Sequence, residues 1–177
     1  MDKETVKTVA QADMPAYLKY VYGREGLRLF LVILSYISTL VAMVAFGYVL
    51  VVKALADILV ALELVVVTLV PFVGVSVLRH LFDAPRPSQL FDMSPLGDKA
   101  PKKEGKSFPS RHVFSAFVIG TALCFTEPVL GALVLFFGTT LGACRVLLGH
   151  HFLRDVVAGG LIGAVCGVIG MLIVNIT

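Results

Sequence analysis

The feature that most constrains this chain is a run of 24 residues, 29–52, without a single charged side chain. Crossing ~30 Å of bilayer hydrocarbon as a helix takes about 20 apolar residues. Comparable runs cover about 54–78, 110–126, 128–148 and 153–176. Lys53 is expected to mark a tight turn after the first, and Glu127-Pro128 turns the chain after the third. Pro71 lies inside the second as an expected kink site. None of the runs alternates in period two, so helices and not a membrane barrel are expected. With 58% hydrophobic and only 15% charged residues, the chain is neither disordered nor composed like a soluble enzyme. A length of 177 residues fits one domain. The predicted fold is all-α: an integral membrane bundle of about five transmembrane helices plus an N-terminal interfacial helix.

The N-terminal segment, residues 1–28, carries charge of both signs and is no secretory signal peptide. Met14, Tyr17, Leu18 and Val21 recur at helical spacing, which predicts a short helix at the membrane surface. Residues 29–177 form the transmembrane core. Its one long non-spanning stretch, 79–108, holds Pro85, Pro87, Pro95 and Pro101, with Pro109 at its end, and four lysines, Lys99, Lys102, Lys103 and Lys106. Leu90, Phe91, Met93 and Leu96 in that stretch are expected to touch lipid. Gly159, Gly163 and Gly167 recur every fourth residue and predict close helix packing, within the monomer or across a homodimer. Cys124, Cys144 and Cys166 lack disulfide or zinc spacing and read as small buried hydrophobes. A net charge of +3 gives no reason to expect a nucleic-acid partner.

Charge at a membrane rim is costly and marks function by default. Three clusters qualify, at 79–87 (Arg79, Arg86), 109–112 (Ser110, Arg111, His112) and 144–155 (Arg145, His151, Asp155). The first two bound the connection between spans two and three; the third lies between spans four and five. By parity all three share one side of the membrane. The arginines offer planar forks suited to phosphate oxygens. Ser110 opens a helix, where free N–H groups favour an anion. His112 is placed to give or take a proton. Asp155, four residues from His151, can reach its imidazole on a helical turn and leave the other ring nitrogen free as a nucleophile. This set describes phosphoryl transfer without a metal. A metal site built on His112, His150, His151 and Asp155 would be opposed by the neighbouring arginines, so no metal or other cofactor is expected.

The three clusters resemble the signature motifs of the type-2 phosphatidic acid phosphatase superfamily, which also includes vanadium haloperoxidases. The family pattern is K-x6-RP, PSGH and SR-x5-H-x3-D. Here it reads R-x6-RP, PSRH and CR-x5-H-x3-D, in the same order. The resemblance implies that His151 attacks phosphorus to give a phosphohistidine, that Asp155 orients it, and that His112 protonates the leaving oxygen. Arg79, Arg86, Ser110 and Arg145 would bind the phosphoryl oxygens. Three positions depart from the pattern. Arg79 replaces lysine and keeps the charge. Cys144 replaces serine and would remove a supporting hydrogen bond. Arg111 replaces glycine and either binds a second phosphate or snorkels into the headgroup region. His150 and His80 read as structural and rim residues.

The resemblance implies a membrane lipid phosphatase acting on a lipid phosphomonoester or diphosphate. Polyprenyl diphosphate is favoured by Arg111 and the loop lysines; phosphatidic acid, phosphatidylglycerol phosphate and lipid A phosphate are the other candidates. The partners expected are the lipid phosphate substrate and the bilayer, with the protein a monomer or homodimer. A non-catalytic anionic-lipid binding or transport protein is the alternative reading, and retention of His112, His151 and Asp155 together argues against it. A haloperoxidase would carry a large soluble helical domain. Five spans place 14 of the 15 Lys/Arg on the face that holds the site, leaving only Lys53 opposite. The positive-inside rule assigns that face to the cytoplasm, whereas the resemblance implies an outward site in bacteria, and sequence alone leaves the side open.

Overall fold

The computed structural model describes residues 13–102 and 104–174. The first 12 residues of the expected interfacial segment, Lys103, the last two residues of the fifth expected span and Thr177 lie outside this range. Among the described residues the regular elements are all helices, with no strand. α1 is Ala16–Tyr22, α2 Glu25–Ala56, α3 Ile58–Phe82, α4 the short Pro87–Leu90, α5 Arg111–Thr126, α6 Pro128–Leu147 and α7 Leu153–Val174. A 3-10 segment, Ser94–Lys99, lies between α4 and α5.

Four helices, α2, α3, α6 and α7, are long and apolar enough to cross a bilayer. The third expected span, α5, has 16 residues. At 1.5 Å per residue it is only ~24 Å long, and it lies at the centre. It packs most extensively against α7 and α6, and Val113, Phe114, Val118, Ala122 and Leu123 are all buried. The outer helices turn apolar side chains outward instead, for example Phe30, Leu40, Met43, Val66, Leu69 and Leu161, each more than half exposed. A soluble monomer does not display apolar surface on this scale; a bilayer accommodates it.

The turn expected at Lys53 lies four residues later. α2 runs on to Ala56, and Asp57 caps α3 by accepting the Leu59 N–H at 2.9 Å. Lys53 instead pairs with Glu127 at 2.9 Å, joining two corners of the bundle. Pro71 lies within α3, which is unbroken from Ile58 to Phe82.

The glycine stripe packs within the chain. A Cβ at Gly159 would stand 2.7 Å from the Ser110 carbonyl oxygen, and one at Gly163 2.6 Å from that of Phe114. α7 thus lies backbone-to-backbone on α5. This contact fixes the start of α5 against the start of α7, where two of the three polar clusters lie.

Of the four apolar residues of the proline-rich stretch expected to touch lipid, Leu90 is exposed, but Phe91, Met93 and Leu96 turn to protein instead. Met93 is buried with Met14 and Leu18, and Phe91, Leu96 and Ala100 pack around them. The apolar face of α1 is therefore taken up by protein: Leu18 under this loop, and Val21 with Leu31, Cys144 and Leu148.

Candidate active site

Arg79 stands on the last turn of α3 and is 5% exposed. Its Nη1 donates to the backbone carbonyls of Ser107, at 3.4 Å, and Pro109, and its Nη2 to that of Lys106. One guanidinium thus holds the strand of chain that leads into α5. The planar fork spreads these donors over two nitrogens, where a lysine would offer one. Arg86 plays a matching part, with Nε donating to Gly105 O at 2.9 Å and Nη1 to His150 O at 2.8 Å. Gln89 completes the frame. Its Oε1 accepts the N–H groups of Arg86 at 2.9 Å and Gly105 at 2.7 Å.

Beyond α6 the chain doubles back. The N–H groups of His150 and His151 both point to Arg145 O, at 2.9 and 3.3 Å. Gly149 makes this turn at φ +68, and a Cβ there would meet the Leu18 side chain at 3.1 Å. The turn ends before α7 begins at Leu153, so His151 and Asp155 do not share a helical turn. His151 Nδ1 and Asp155 Oδ2 are 3.8 Å apart, beyond hydrogen-bond reach. Ser107 stands between them. Its hydroxyl lies 2.5 Å from Asp155 Oδ2 and 3.3 Å from His151 Nδ1.

The donor inventory orients this chain of groups. An ionised Asp155 only accepts, so the single Ser107 proton goes to it. Ser107 Oγ then accepts from His151, which requires the proton on Nδ1 and leaves Nε2 bare. Asp155 Oδ2 also accepts the Phe152 N–H at 3.2 Å. Ser107, His151 and Asp155 are all buried. Burial holds the His151 imidazole below its ordinary value of 6.5; Arg86 and Arg79 push the same way and Asp155 opposes them. His151 is therefore a neutral base near pH 7.

A cleft of about 600 Å³ opens over these groups. Six of the eight residues expected from the sequence line it: Arg79, Arg86, Arg111, His112, Arg145 and His151. Arg111 and His112 are exposed on the first turn of α5. Arg145 is half-buried, and its Nε has no hydrogen-bond partner among the described residues. The other two, Asp155 and Ser110, lie behind the wall, each 0% exposed. The Ser110 N–H donates to the Asp155 carbonyl at 2.9 Å, so it ties α5 to α7. Ser110 Oγ has no partner among the described residues. Cys144 is 1% exposed and sits in the apolar cluster with Val21, Leu31 and Leu148, where a serine would be poorly placed.

Sequence reasoning overlooked Ser107 and Gln89, and it did not connect Tyr22 and Arg28 to the site. Ser107 lies two residues before the 109–112 cluster, and a hydroxyl there is the one signal that could have drawn attention to it. Tyr22 donates its hydroxyl to Leu148 O at 3.1 Å, on the loop that carries His151. No local pattern announces a contact across 126 residues.

The PAP2 superfamily model matches residues 28–176. The chain belongs to the PAP2 superfamily. Among solved structures, the crystal structure of Aquifex aeolicus LpxE is similar over 88% of this chain and 92% of its own, with a TM-score of 0.68 and 24% identity. That likeness shows a shared fold. No curated protein matches the chain. Family and membrane helices together make this protein a membrane lipid phosphatase, a hydrolase of phosphate esters.

Proposed function

We propose that this PAP2 protein hydrolyses lipid phosphates through a phosphohistidine formed on His151. The observation that carries this reading is the order Asp155–Ser107–His151, which leaves an unprotonated Nε2 on a neutral imidazole at the cleft wall. Nε2 attacks phosphorus as the bond from phosphorus to the lipid oxygen breaks. His112 donates a proton to the departing oxygen, then takes one from the water that attacks the phosphohistidine. Arg79, Arg86 and Arg145 face the phosphoryl oxygens with positive charge, Arg111 extends the set, and Ser110 Oγ is an unused donor behind them. Four cationic side chains around one anion supply the charge neutralisation a metal would otherwise give, so the reaction proceeds without one.

Among candidate substrates, a polyprenyl diphosphate is favoured over phosphatidic acid, phosphatidylglycerol phosphate and lipid A phosphate. Arg111, Lys99, Lys102 and Lys106 line the same cleft as the phosphoryl site and suit more than one phosphate.

The test is phosphate release by purified protein in detergent from a panel of these lipids, with EDTA present, together with acid-labile labelling of His151. Release that persists in EDTA with label on His151 is expected. Activity that vanishes with EDTA and returns with one metal would refute the metal-free route, and label elsewhere would refute the nucleophile.

A further inference from the structure

The cleft is also lined by cations that belong to none of the three motifs. Arg28, on the first turns of α2, lines the cleft with Lys99 and Lys102 from the connecting segment. Its place is fixed by packing. Leu27 and Leu31, on either side of it, lie in the apolar cluster with Cys144 and Leu148. Cys144 directly precedes Arg145, and Leu148 directly precedes the turn that carries His151, so Arg28 packs beside the segments that bear both residues. Arg28 Nε is buried and finds no hydrogen-bond partner among the described residues. A buried guanidinium N–H without an acceptor costs free energy, and an arriving anion would relieve that cost.

Glu25 sits beside two of these cations. Its Oε1 lies 3.6 Å from Arg28 Nη2 and 3.3 Å from Lys99 Nζ, and its side chain is 70% exposed. Exposed pairs of this kind are weak. A carboxylate that bridges two cations loosely at the mouth of an anion cleft is easily exchanged for a ligand anion. The volume agrees: about 600 Å³ falls in the range of roughly 300–1,000 Å³ that holds whole small molecules, well beyond one phosphoryl group.

We propose that Arg28, with Lys99 and Lys102, forms a second anionic subsite that takes a second phosphate of the substrate headgroup and displaces Glu25 as it binds. This subsite rests on the phosphatase reading and adds to it the part of the cleft that selects polyanionic headgroups. Arg111 also lines the cleft, but it is exposed; outside the three motifs, Arg28 is the lining cation held with a buried, unsatisfied donor among the described residues.

Two measurements test the subsite. The first is the ratio of kcat/KM on farnesyl diphosphate to that on farnesyl phosphate, for wild type, Arg28→Gln, Arg28→Lys and Glu25→Gln. Arg28→Gln should lower the ratio about tenfold, Arg28→Lys should lower it less, and Glu25→Gln should raise it. An unchanged ratio in Arg28→Gln and Glu25→Gln would overturn the proposal. The second needs no turnover: thermal stabilisation of the full chain in detergent by inorganic pyrophosphate relative to phosphate. Wild type should prefer pyrophosphate and Arg28→Gln should lose the preference; equal stabilisation of wild type by both overturns the subsite. Should wild type hydrolyse neither lipid yet prefer pyrophosphate, the phosphatase reading fails while the subsite stands. If Arg28→Gln does not fold, Arg28→Lys and Glu25→Gln decide the matter.

Discussion

Ser107→Ala removes one oxygen atom from a site that otherwise keeps every titratable group. The nearest carboxylate oxygen to His151 Nδ1 is then Asp155 Oδ2 at 3.8 Å, too far to accept a hydrogen bond in the resting geometry. A buried N–H left without an acceptor costs about 1–3 kcal/mol. The neutral ring avoids that cost by moving its proton to Nε2, which takes away the lone pair needed for attack. If the reactive tautomer is disfavoured by that amount, kcat/KM falls roughly 5- to 150-fold at ~1.4 kcal/mol per tenfold. Asp155→Asn breaks the same chain at its other end, so the double variant should be little worse than either single one. The assay is hydrolysis of a soluble aryl phosphate in detergent, alongside nitrogen NMR of labelled histidine to read the tautomer. A protein with Ser107→Ala that works within twofold of wild type, with Nδ1 still protonated, would refute the relay. Asp155 would then have to act on His151 by direct contact.

Other outcomes follow from the same geometry. His151→Ala should be inactive with every substrate, whereas His112→Ala should recover part of its activity when the leaving group is a good one, since an aryl oxide needs little protonation; His150→Ala, which keeps the backbone carbonyl that Arg86 uses, should retain activity. Equal loss in His112→Ala on good and poor leaving groups would remove its role as the acid. Because burial and two guanidiniums lower the His151 pKa, the attacking neutral form persists as pH falls through 6.5, and the acid limb of kcat/KM, corrected for ionisation of the substrate, should lie below that value. Arg86→Met removes a positive neighbour and should move the limb upward; a wild-type limb above 6.5 would contradict the assignment. Gly163→Ala places a Cβ 2.6 Å from Phe114 O and 3.0 Å from Phe117 Cβ, so it should destabilise by about 1–3 kcal/mol. Gly74→Ala, with nothing within 4 Å, should leave the melting temperature in detergent near wild type; equal melting of both variants would contradict the close packing of α5 on α7.

The spans were legible because hydropathy alone decides whether twenty residues can sit in hydrocarbon. Their ends were less so. Lys53 looked like a break because it is charged, but a long side chain at a helix end can pair outward, and it does so with Glu127. Asp57 is the better stop signal: its carboxylate caps the next helix. α5 was expected to resemble the other spans, yet it is the shortest of the five and the most enclosed. That difference arises from packing against neighbours on every side, which a single apolar run does not encode.

The candidate site was legible in its membership and not in its wiring. Spacing within the three clusters, with parity, was enough to expect Arg79, Arg86, Arg111, His112, Arg145 and His151 around one cleft. The contacts among them follow from how the backbone turns. An i to i+4 pair suggests a shared helical turn, but the N–H groups of His150 and His151 fold back to Arg145 O before α7 starts, and the space that opens beside Asp155 is filled by Ser107. Arg79 reads as a phosphate ligand from its charge alone, and its three backbone bonds show that it also shapes the loop carrying Ser107. The N-terminal helix shows the same limit most plainly. An apolar stripe of Met14, Leu18 and Val21 fits a membrane surface and a protein groove equally well. The choice was made by Met93 and Phe91, whose prolines and neighbouring charges gave no hint that they would supply the other half of the groove. Once α1 is held there, Tyr22 can reach Leu148 O and α2 begins with Arg28 in the cleft wall. A segment that reads as a surface anchor is thus part of the framework that positions the histidine loop.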